Sequence, residues 1–147
     1  MSDILQNTVS WFQKAVPNPT DKNMRVQLGV HLEEIAELLE EAFTNDHTTM
    51  NHLAQTRKWL TYLSNHLKQT SASVVFPDRE ATLDAICDQL VTGAGLGHMM
   101  SMDVVGALDD VNFSNWSKFV DGEPIFDENK KIKKGPMYRK PELSPFI

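Results

Sequence analysis

The sequence lacks the features that mark several large classes of protein. Its 147 residues contain a single cysteine, Cys87, so no disulfide can form within the chain, which fits a reducing compartment. No apolar run approaches the roughly 20 residues that a membrane-spanning helix needs. Acidic residues outnumber basic ones by 20 to 14, and the net charge is −6. We therefore expect neither a nucleic-acid-binding protein nor a membrane-binding one.

The first residues also lack the basic segment and apolar core of a secretory leader. We therefore expect a cytoplasmic protein. Hydrophobic residues make up 41% of the chain, which is ordinary for a globular protein and enough for a real core at this length. We expect one domain that spans residues 1–147.

Helical periodicity dominates the sequence. Apolar residues recur at spacings of three and four, and this pattern predicts helices at 3–15, 21–44, 49–69, 79–101 and 103–112. The candidate N-caps are Thr20 or Asp21, Thr48 or Thr49, Asp78 and Asp103. Residues 119–147 are rich in turn formers and prolines, which predicts an irregular extension with a small hairpin or a looped tail. The predicted fold class is all-α, a helical bundle of about five helices.

The second predicted helix carries an unusual density of carboxylates. On a helix, Glu34, Glu37 and Glu41 fall within roughly 60° of one another, and Gln27 joins the same face. This face borders the apolar stripe. Several carboxylates on one face repel one another, and a bound cation relieves that repulsion. The alternative is an ordinary solvated helix face.

A second acidic pair, Asp84 and Asp88, lies one turn apart on the fourth predicted helix. Leu83, Ile86 and Leu90 surround the pair, so we expect its face to be at least partly buried. The alternative is a pair of surface aspartates that bind nearby lysine or arginine side chains. Aspartate is a mediocre residue for a helix interior, and two at this spacing favour a function.

The two acidic sets together predict a metal site. We expect the two glutamates, Glu34 and Glu37, to face the aspartate pair across the bundle interior. A site that offers only carboxylate oxygens selects Mg²⁺, with Mn²⁺ as the alternative. Mg²⁺ usually completes its coordination with water and substrate phosphates. The pattern therefore predicts a phosphate-bearing substrate attacked by metal-activated water.

A third set of polar residues follows the fifth predicted helix. Lys118 can neutralise a phosphate, and Asn112 and Asn115 can bond a sugar or a base edge. Trp116 can stack on a base or belong to the core, and we favour the core. The tail adds the concentrated basic region of the chain, Lys130, Lys131, Lys133, Lys134, Arg139 and Lys140. It is either a solvated tail or a flap over a polyphosphate.

The ordered set of motifs resembles a known enzyme superfamily. The motifs are Glu33-Glu34-x-x-Glu37, Asp84-x-x-x-Asp88, Asn112-x-x-Asn115-x-x-Lys118 and Gly135-Pro136-x-Tyr138. They resemble those of the all-α nucleoside triphosphate pyrophosphohydrolases, the MazG-like and phosphoribosyl-ATP-pyrophosphohydrolase-like superfamily with its phage-borne members. The resemblance covers residues 20–143. Where that family most often has Glu-x-x-Asp, this chain has two aspartates four apart, which leaves open which of them contacts the metal directly.

The resemblance implies cleavage of a nucleoside triphosphate between its α and β phosphates, in house-cleaning of the nucleotide pool. It implies the candidate catalytic residues Glu33, Glu34 and Glu37, with Glu33 as the carboxylate that orients or deprotonates water. The implied metal ligands are Glu34, Glu37, Asp84 and Asp88. The candidate substrate-binding residues are Asn112, Asn115, Lys118, Gln27, Lys134 and Tyr138.

The resemblance also implies a homodimer or homotetramer. Trp59, Leu60 and Leu63 on the third predicted helix are candidates for the subunit contact, with the core of the chain as the alternative. A dUTP- or dCTP-specific hydrolase and a phosphoribosyl-ATP hydrolase are alternatives within the superfamily. Two further alternatives are not enzymes: a non-catalytic member of the superfamily, and a helical adaptor that binds a basic partner.

Overall fold

A computed structural model of the chain describes residues 3–127 and 131–147. Within these residues the fold is all-α, as predicted. The helices are α1 (Ile4–Ala15), α2 (Asp21–Glu40), α3 (His47–Gln69), α4 (Arg79–Met99), α5 (Val104–Trp116) and a 3₁₀ turn (Ser144–Phe146). No helix in the described ranges has the length and apolarity to cross a membrane. The chain forms two compact units: α2 and α3 lie in residues 18–76, and the other helices lie in residues 3–17 and 77–147.

Each α-helix begins at a side chain that accepts a backbone N–H of its first turn. The caps are Asp3, Thr20, Asp46, Asp78 and Asp103. The predictions for α2, α4 and α5 are thus confirmed. The predicted cap of α3, Thr48 or Thr49, is wrong, because the carboxylate of Asp46 accepts from Thr49 N–H at 2.7 Å and from the Thr49 hydroxyl at 2.6 Å. The helix therefore begins two residues before the predicted start.

The unit of residues 18–76 is an antiparallel hairpin of α2 and α3. The helices approach closely at Gly29, where an added Cβ would lie 2.9 Å from the carbonyl oxygen of Ser64. The buried guanidinium of Arg25 donates from Nε to the Leu67 carbonyl at 3.1 Å and from Nη1 to the Ala72 carbonyl at 3.2 Å. It thereby satisfies one carbonyl in the last turn of α3, where helix carbonyls have no helical partner, and one in the segment that follows the helix.

In the other unit, α1 packs along α5 through a buried amide. Asn112 is 1% exposed; its Oδ1 accepts from the Thr8 hydroxyl at 2.8 Å and its Nδ2 donates to the Ile4 carbonyl at 2.9 Å. Asn112 lies within α5, which runs four residues beyond the predicted end at residue 112. The local sequence after Asn112 thus continues the helix instead of beginning a loop.

Aromatic side chains complete this contact. Trp11 stacks on the buried Phe119 with ring centroids 5.8 Å apart, and Trp116 meets Phe119 edge to face at 5.4 Å. The indole N–H of Trp116 donates to the side chain of Asn7 at 2.8 Å. Trp116 therefore belongs to the core of this unit, as favoured from the sequence.

The helix α4 differs most from expectation. Its expected buried face is exposed: Leu83, Ile86 and Leu90 are 62%, 51% and 52% exposed. Only Gly97 among its residues is buried, against Val104 at the start of α5. The predicted burial of this face is therefore wrong for the chain as described, because α5 covers α4 at its last turn and not at its acidic middle.

The C-terminal extension lies against α5. Asp110 binds the guanidinium of Arg139 and accepts from the backbone N–H of Glu142 at 2.7 Å. These two hydrogen bonds hold the pKa of the Asp110 carboxyl below its usual range. Two isolated bridges, Val120 with Glu123 and Phe126 with Ile132, form part of the predicted hairpin. Residues 128–130, which include the basic residue Lys130, lie outside the described part of the chain.

Candidate functional site

The predicted acidic face lies on the side of α2 that faces away from α3. Gln27, Glu34, Glu37 and Glu41 are all exposed. The residues of α2 that are buried against the hairpin partner are Arg25, Gly29 and Ala36. The helix therefore separates its buried and acidic residues by about half a turn of the helical wheel, whereas the sequence predicted that the acidic face would border the buried stripe. Glu34 and Glu37 are accessible to a ligand.

The other two glutamates of α2 pair with cations on α3. Glu33 binds Lys68 at 2.7 Å, and Glu40 lies 3.4 Å from Arg57. The pair of Glu40 with Arg57 is exposed, with 61% and 42% of the two side chains accessible. Glu33, the predicted water-orienting carboxylate, is instead fixed by an ammonium group that the sequence analysis did not single out.

On the exposed face of α2, the negative charges around Glu34 outweigh the effect of the nearby cations. The pKa of its carboxyl is raised, first because of partial burial and then because of the negative charges of Glu37 and Glu33. Lys68 and His31 oppose this effect without cancelling it. A carboxylate in this environment binds a proton more readily than an isolated one. The repulsion from Glu37 and Glu33 is the part of this effect that a nearby cation would relieve.

The aspartate pair on α4 is exposed, and an acidic depression at the start of the helix includes its first member. Asp84 lines an open depression of about 390 Å³ together with Asp78, Glu80 and Ala81 at the start of the helix. Asp88 is exposed one turn further along. The helices α4 and α2 belong to different compact units, and the cation shared by the two acidic sets stays a prediction. In residues 3–127 and 131–147, no three His, Cys, Asp or Glu side chains are grouped to hold a metal ion.

The donor chemistry of both sets nevertheless fits Mg²⁺. All four predicted ligands are exposed carboxylates, and none of them is among the residues engaged in the ion pairs found in the described part of the chain. Hard oxygen donors of this kind hold Mg²⁺ through one or two carboxylates per ion, with water and phosphate in the remaining positions. A full cage of protein ligands is not required.

The predicted nucleotide-binding motif has two different parts. The amide of Asn112 is buried between α5 and α1, so its hydrogen bonds hold the fold. Asn115 Oδ1 accepts from the ammonium of Lys118 at 2.8 Å, and that ammonium also lies 5.8 Å from the centre of the Trp11 ring. Lys118 is thus held at the end of α5, with its charge at a fixed place.

The structure brings two more predicted residues near this lysine. The backbone N–H of Gly135 donates to the Lys118 carbonyl at 3.1 Å, which places the tail motif beside the end of α5. An added Cβ on Gly135 would lie 2.7 Å from a Val120 methyl carbon, so only glycine allows this approach. The ammonium of Lys134 lies 4.7 Å from the centre of the Tyr138 ring. We refer to Lys118, Lys134 and Tyr138 as the basic and aromatic group, because Lys134 and Tyr138 flank the tail residues that the Gly135 N–H joins to the end of α5.

Sequence reasoning missed Lys68 and Arg25, which both reach from one helix of the hairpin to the other. One signal was present for them. Helix α3 contains Arg57, Lys58 and Lys68 and no acidic residue, whereas α2 is rich in glutamate. Opposite charges on consecutive amphipathic helices predict pairs between them.

Comparison of the chain with protein-family models, with curated proteins and with solved structures finds no match. The resemblance to the pyrophosphohydrolase superfamily therefore rests on the motifs themselves.

Proposed function

We propose that the protein is a Mg²⁺-dependent nucleotide pyrophosphohydrolase that converts a (deoxy)nucleoside triphosphate to the monophosphate and pyrophosphate. The observation that carries the proposal is the outward acidic face of α2, where Glu34 and Glu37 are accessible and the pKa of Glu34 is raised by burial and by its acidic neighbours. A bound divalent cation relieves this repulsion. The order of the other motifs along the chain supports the same assignment.

In this proposal the acidic residues hold the metal, with Glu34 and Glu37 on α2 and the aspartate pair on α4. Mg²⁺, or Mn²⁺ in its place, supplies charge neutralisation at the phosphates and an acidified water. Glu33 orients or deprotonates the attacking water. Each carboxylate therefore binds metal or water, and none of them becomes covalently attached to the substrate.

The basic and aromatic group binds the nucleotide. Lys118 and Lys134 neutralise phosphates, and Tyr138 offers a ring face to the nucleoside. Asn115 orients Lys118, while Gln27 is an exposed amide on the metal-binding helix. Asn112 contributes indirectly, because it joins α1 to α5, the helix that ends two residues before Lys118.

The proposal predicts release of pyrophosphate from at least one nucleoside triphosphate in the presence of Mg²⁺. Purified protein is incubated with a panel of ordinary and modified NTPs and dNTPs, and products are identified by chromatography. The expected products are a nucleoside monophosphate and pyrophosphate, and EDTA should stop the reaction. Orthophosphate as the first product, or no product from any substrate, would refute the proposal.

The same panel separates the related specificities. Exclusive cleavage of dUTP and dCTP, or of phosphoribosyl-ATP, would identify one of the narrower enzymes of the superfamily. A house-cleaning enzyme would instead prefer modified over ordinary nucleotides. We expect any of these activities in the cytoplasm, where free nucleotides are substrates.

The proposal includes assembly of two or four copies of the chain. Trp59 and Leu63 on α3 are 68% and 44% exposed, and exposed large apolar residues of this kind favour subunit contacts. Light scattering coupled to size-exclusion chromatography is expected to give a mass of two or four times 16.6 kDa. A mass of one chain at micromolar concentration would remove this part of the proposal.

The exposed apolar residues of α4 favour a second candidate, a helical protein that binds another protein. Under this alternative the acidic face of α2 binds a basic partner and no metal. Mg²⁺ would then leave the melting temperature unchanged, whereas a metal bound only by the folded state raises it.

A further inference from the structure

Lys68 connects the end of α3 to the middle of the acidic helix. Its Nζ lies 2.7 Å from Oε2 of Glu33, and only 24% of the lysine side chain is exposed. The stem of Lys68 crosses α2 at Gly29, where an added Cβ would come within 3.1 Å of the lysine Cγ. Because the stem is confined in this way, the ammonium has few alternative positions. It therefore holds one oxygen of Glu33 in place.

The other ion pair between these helices provides a comparison. Arg57 and Glu40 are 3.4 Å apart, and their side chains are 42% and 61% exposed. Exposed pairs of that kind contribute little to stability and orient their members weakly. Lys68 and Glu33 are closer together and less exposed. The two pairs join the same helices and differ in their N–O distance and in their exposure.

We propose that Lys68 is a positioning residue for Glu33. It binds Oε2 and leaves Oε1 as the oxygen that is available to water. It also supplies a tethered positive charge to Glu33, so that Glu34 and Glu37 are the glutamates left to bind metal. This inference rests on the proposed function, because it gives Glu33 its orientation in the water-activating step of that reaction.

Substitution of Lys68 should separate turnover from metal binding. In Lys68→Met we expect kcat to fall on the order of tenfold, with KM changed less than about twofold, since a general base that loses its orientation loses part of a contribution of about 10²- to 10⁴-fold. We expect Mn²⁺, measured without nucleotide by electron paramagnetic resonance, to bind at least as tightly as in the wild type, because a nearby positive charge is gone. General damage to the fold would instead lower kcat and weaken Mn²⁺ binding together.

Two further variants complete the test. Lys68→Arg retains the charge and should recover kcat to within about threefold of the wild type, because a guanidinium also binds carboxylates. Arg57→Met removes the looser pair and should leave kcat, KM and Mn²⁺ affinity unchanged. Melting temperatures are recorded for all three variants. Weaker Mn²⁺ binding in Lys68→Met, an equal loss of kcat in Arg57→Met, or no recovery in Lys68→Arg would each overturn the proposal.

A readout without activity distinguishes this proposal from the proposed function. The side-chain carboxyl ¹³C resonance of Glu33 should move in Lys68→Met and stay in place in Arg57→Met. An unchanged Glu33 resonance in Lys68→Met means that the ion pair is absent and overturns the positioning role alone. If the Glu33 resonance moves as expected in Lys68→Met but the wild-type protein hydrolyses no nucleotide, the proposed function is overturned. The role of the ion pair in a reaction is then overturned with it.

Discussion

Replacing Glu34 by glutamine is expected to abolish the Mg²⁺-dependent rise in melting temperature and to slow pyrophosphate release on the order of 100-fold or more. Glutamine keeps the shape of the side chain and nearly the same helix propensity, so the fold is retained. It removes the carboxylate whose pKa is raised first by partial burial and then by the negative charges of Glu37 and Glu33. Without that charge the remaining ligands bind Mg²⁺ weakly.

The matched control is Glu41→Gln, which removes the same charge at the exposed C-cap of α2, about two turns further along. Melting curves of both variants are recorded with and without Mg²⁺, and initial rates are measured on the best substrate of the panel. In the wild type, Mg²⁺ at about 100 times its Kd adds about 2.7 kcal/mol to the free energy of unfolding. Equal Mg²⁺ stabilisation of Glu34→Gln and the wild type would contradict the assignment of Glu34 as a metal ligand.

The helices could be predicted from the sequence because their signals are local. Spacings of three and four locate α1 to α5, and side-chain caps fix the starts of most of them. The start of α3 was misplaced because several polar residues in a row can cap, and only the geometry shows that Asp46 accepts from Thr49. The end of α5 was misplaced because Asn112 and Asn115 look like loop residues. In the structure their hydrogen bonds go to α1 and to Lys118, which compensates for their poor helix propensity.

The candidate site could be predicted only in part. The helical wheel places Glu34, Glu37 and Gln27 together on α2, because neighbours on one helix face follow from its period. It also places Asp84 beside Asp88 on α4. The wheel does not show which face of α4 is covered, since that depends on tertiary packing, and Leu83 is accordingly exposed where burial was expected.

Contacts made by long side chains were beyond the sequence for a related reason. Lys68 reaches Glu33 across a gap that exists because Gly29 has no side chain. Arg25 reaches the Leu67 carbonyl in the last turn of α3 and the Ala72 carbonyl just beyond the end of that helix. Whether such side chains reach their partners depends on the distance between α2 and α3. Gly29 allows the short distance, and a glycine within a helical pattern does not by itself indicate a close contact.

Gly29→Ala is expected to destabilise the hairpin by about 1–2 kcal/mol, although alanine is the better helix former. The added Cβ would lie 2.9 Å from the Ser64 carbonyl oxygen and 3.4 Å from the Leu67 Cβ. The first contact is with backbone, so the helices must separate, and overpacking of this kind costs about 1–3 kcal/mol. The gain in helix propensity offsets only about 0.5–1 kcal/mol of this.

The control is Gly93→Ala on α4, where an added Cβ meets nothing within 4 Å. This substitution should stabilise the protein by about 0.5–1 kcal/mol through propensity alone. Urea unfolding followed by circular dichroism gives the free energy of unfolding of both variants. Opposite signs for the two substitutions are expected because the residue change is identical and only the surroundings differ. Stabilisation by Gly29→Ala would mean that the helices are further apart at Ser64 than described, and the route by which Lys68 reaches Glu33 would then lose its basis.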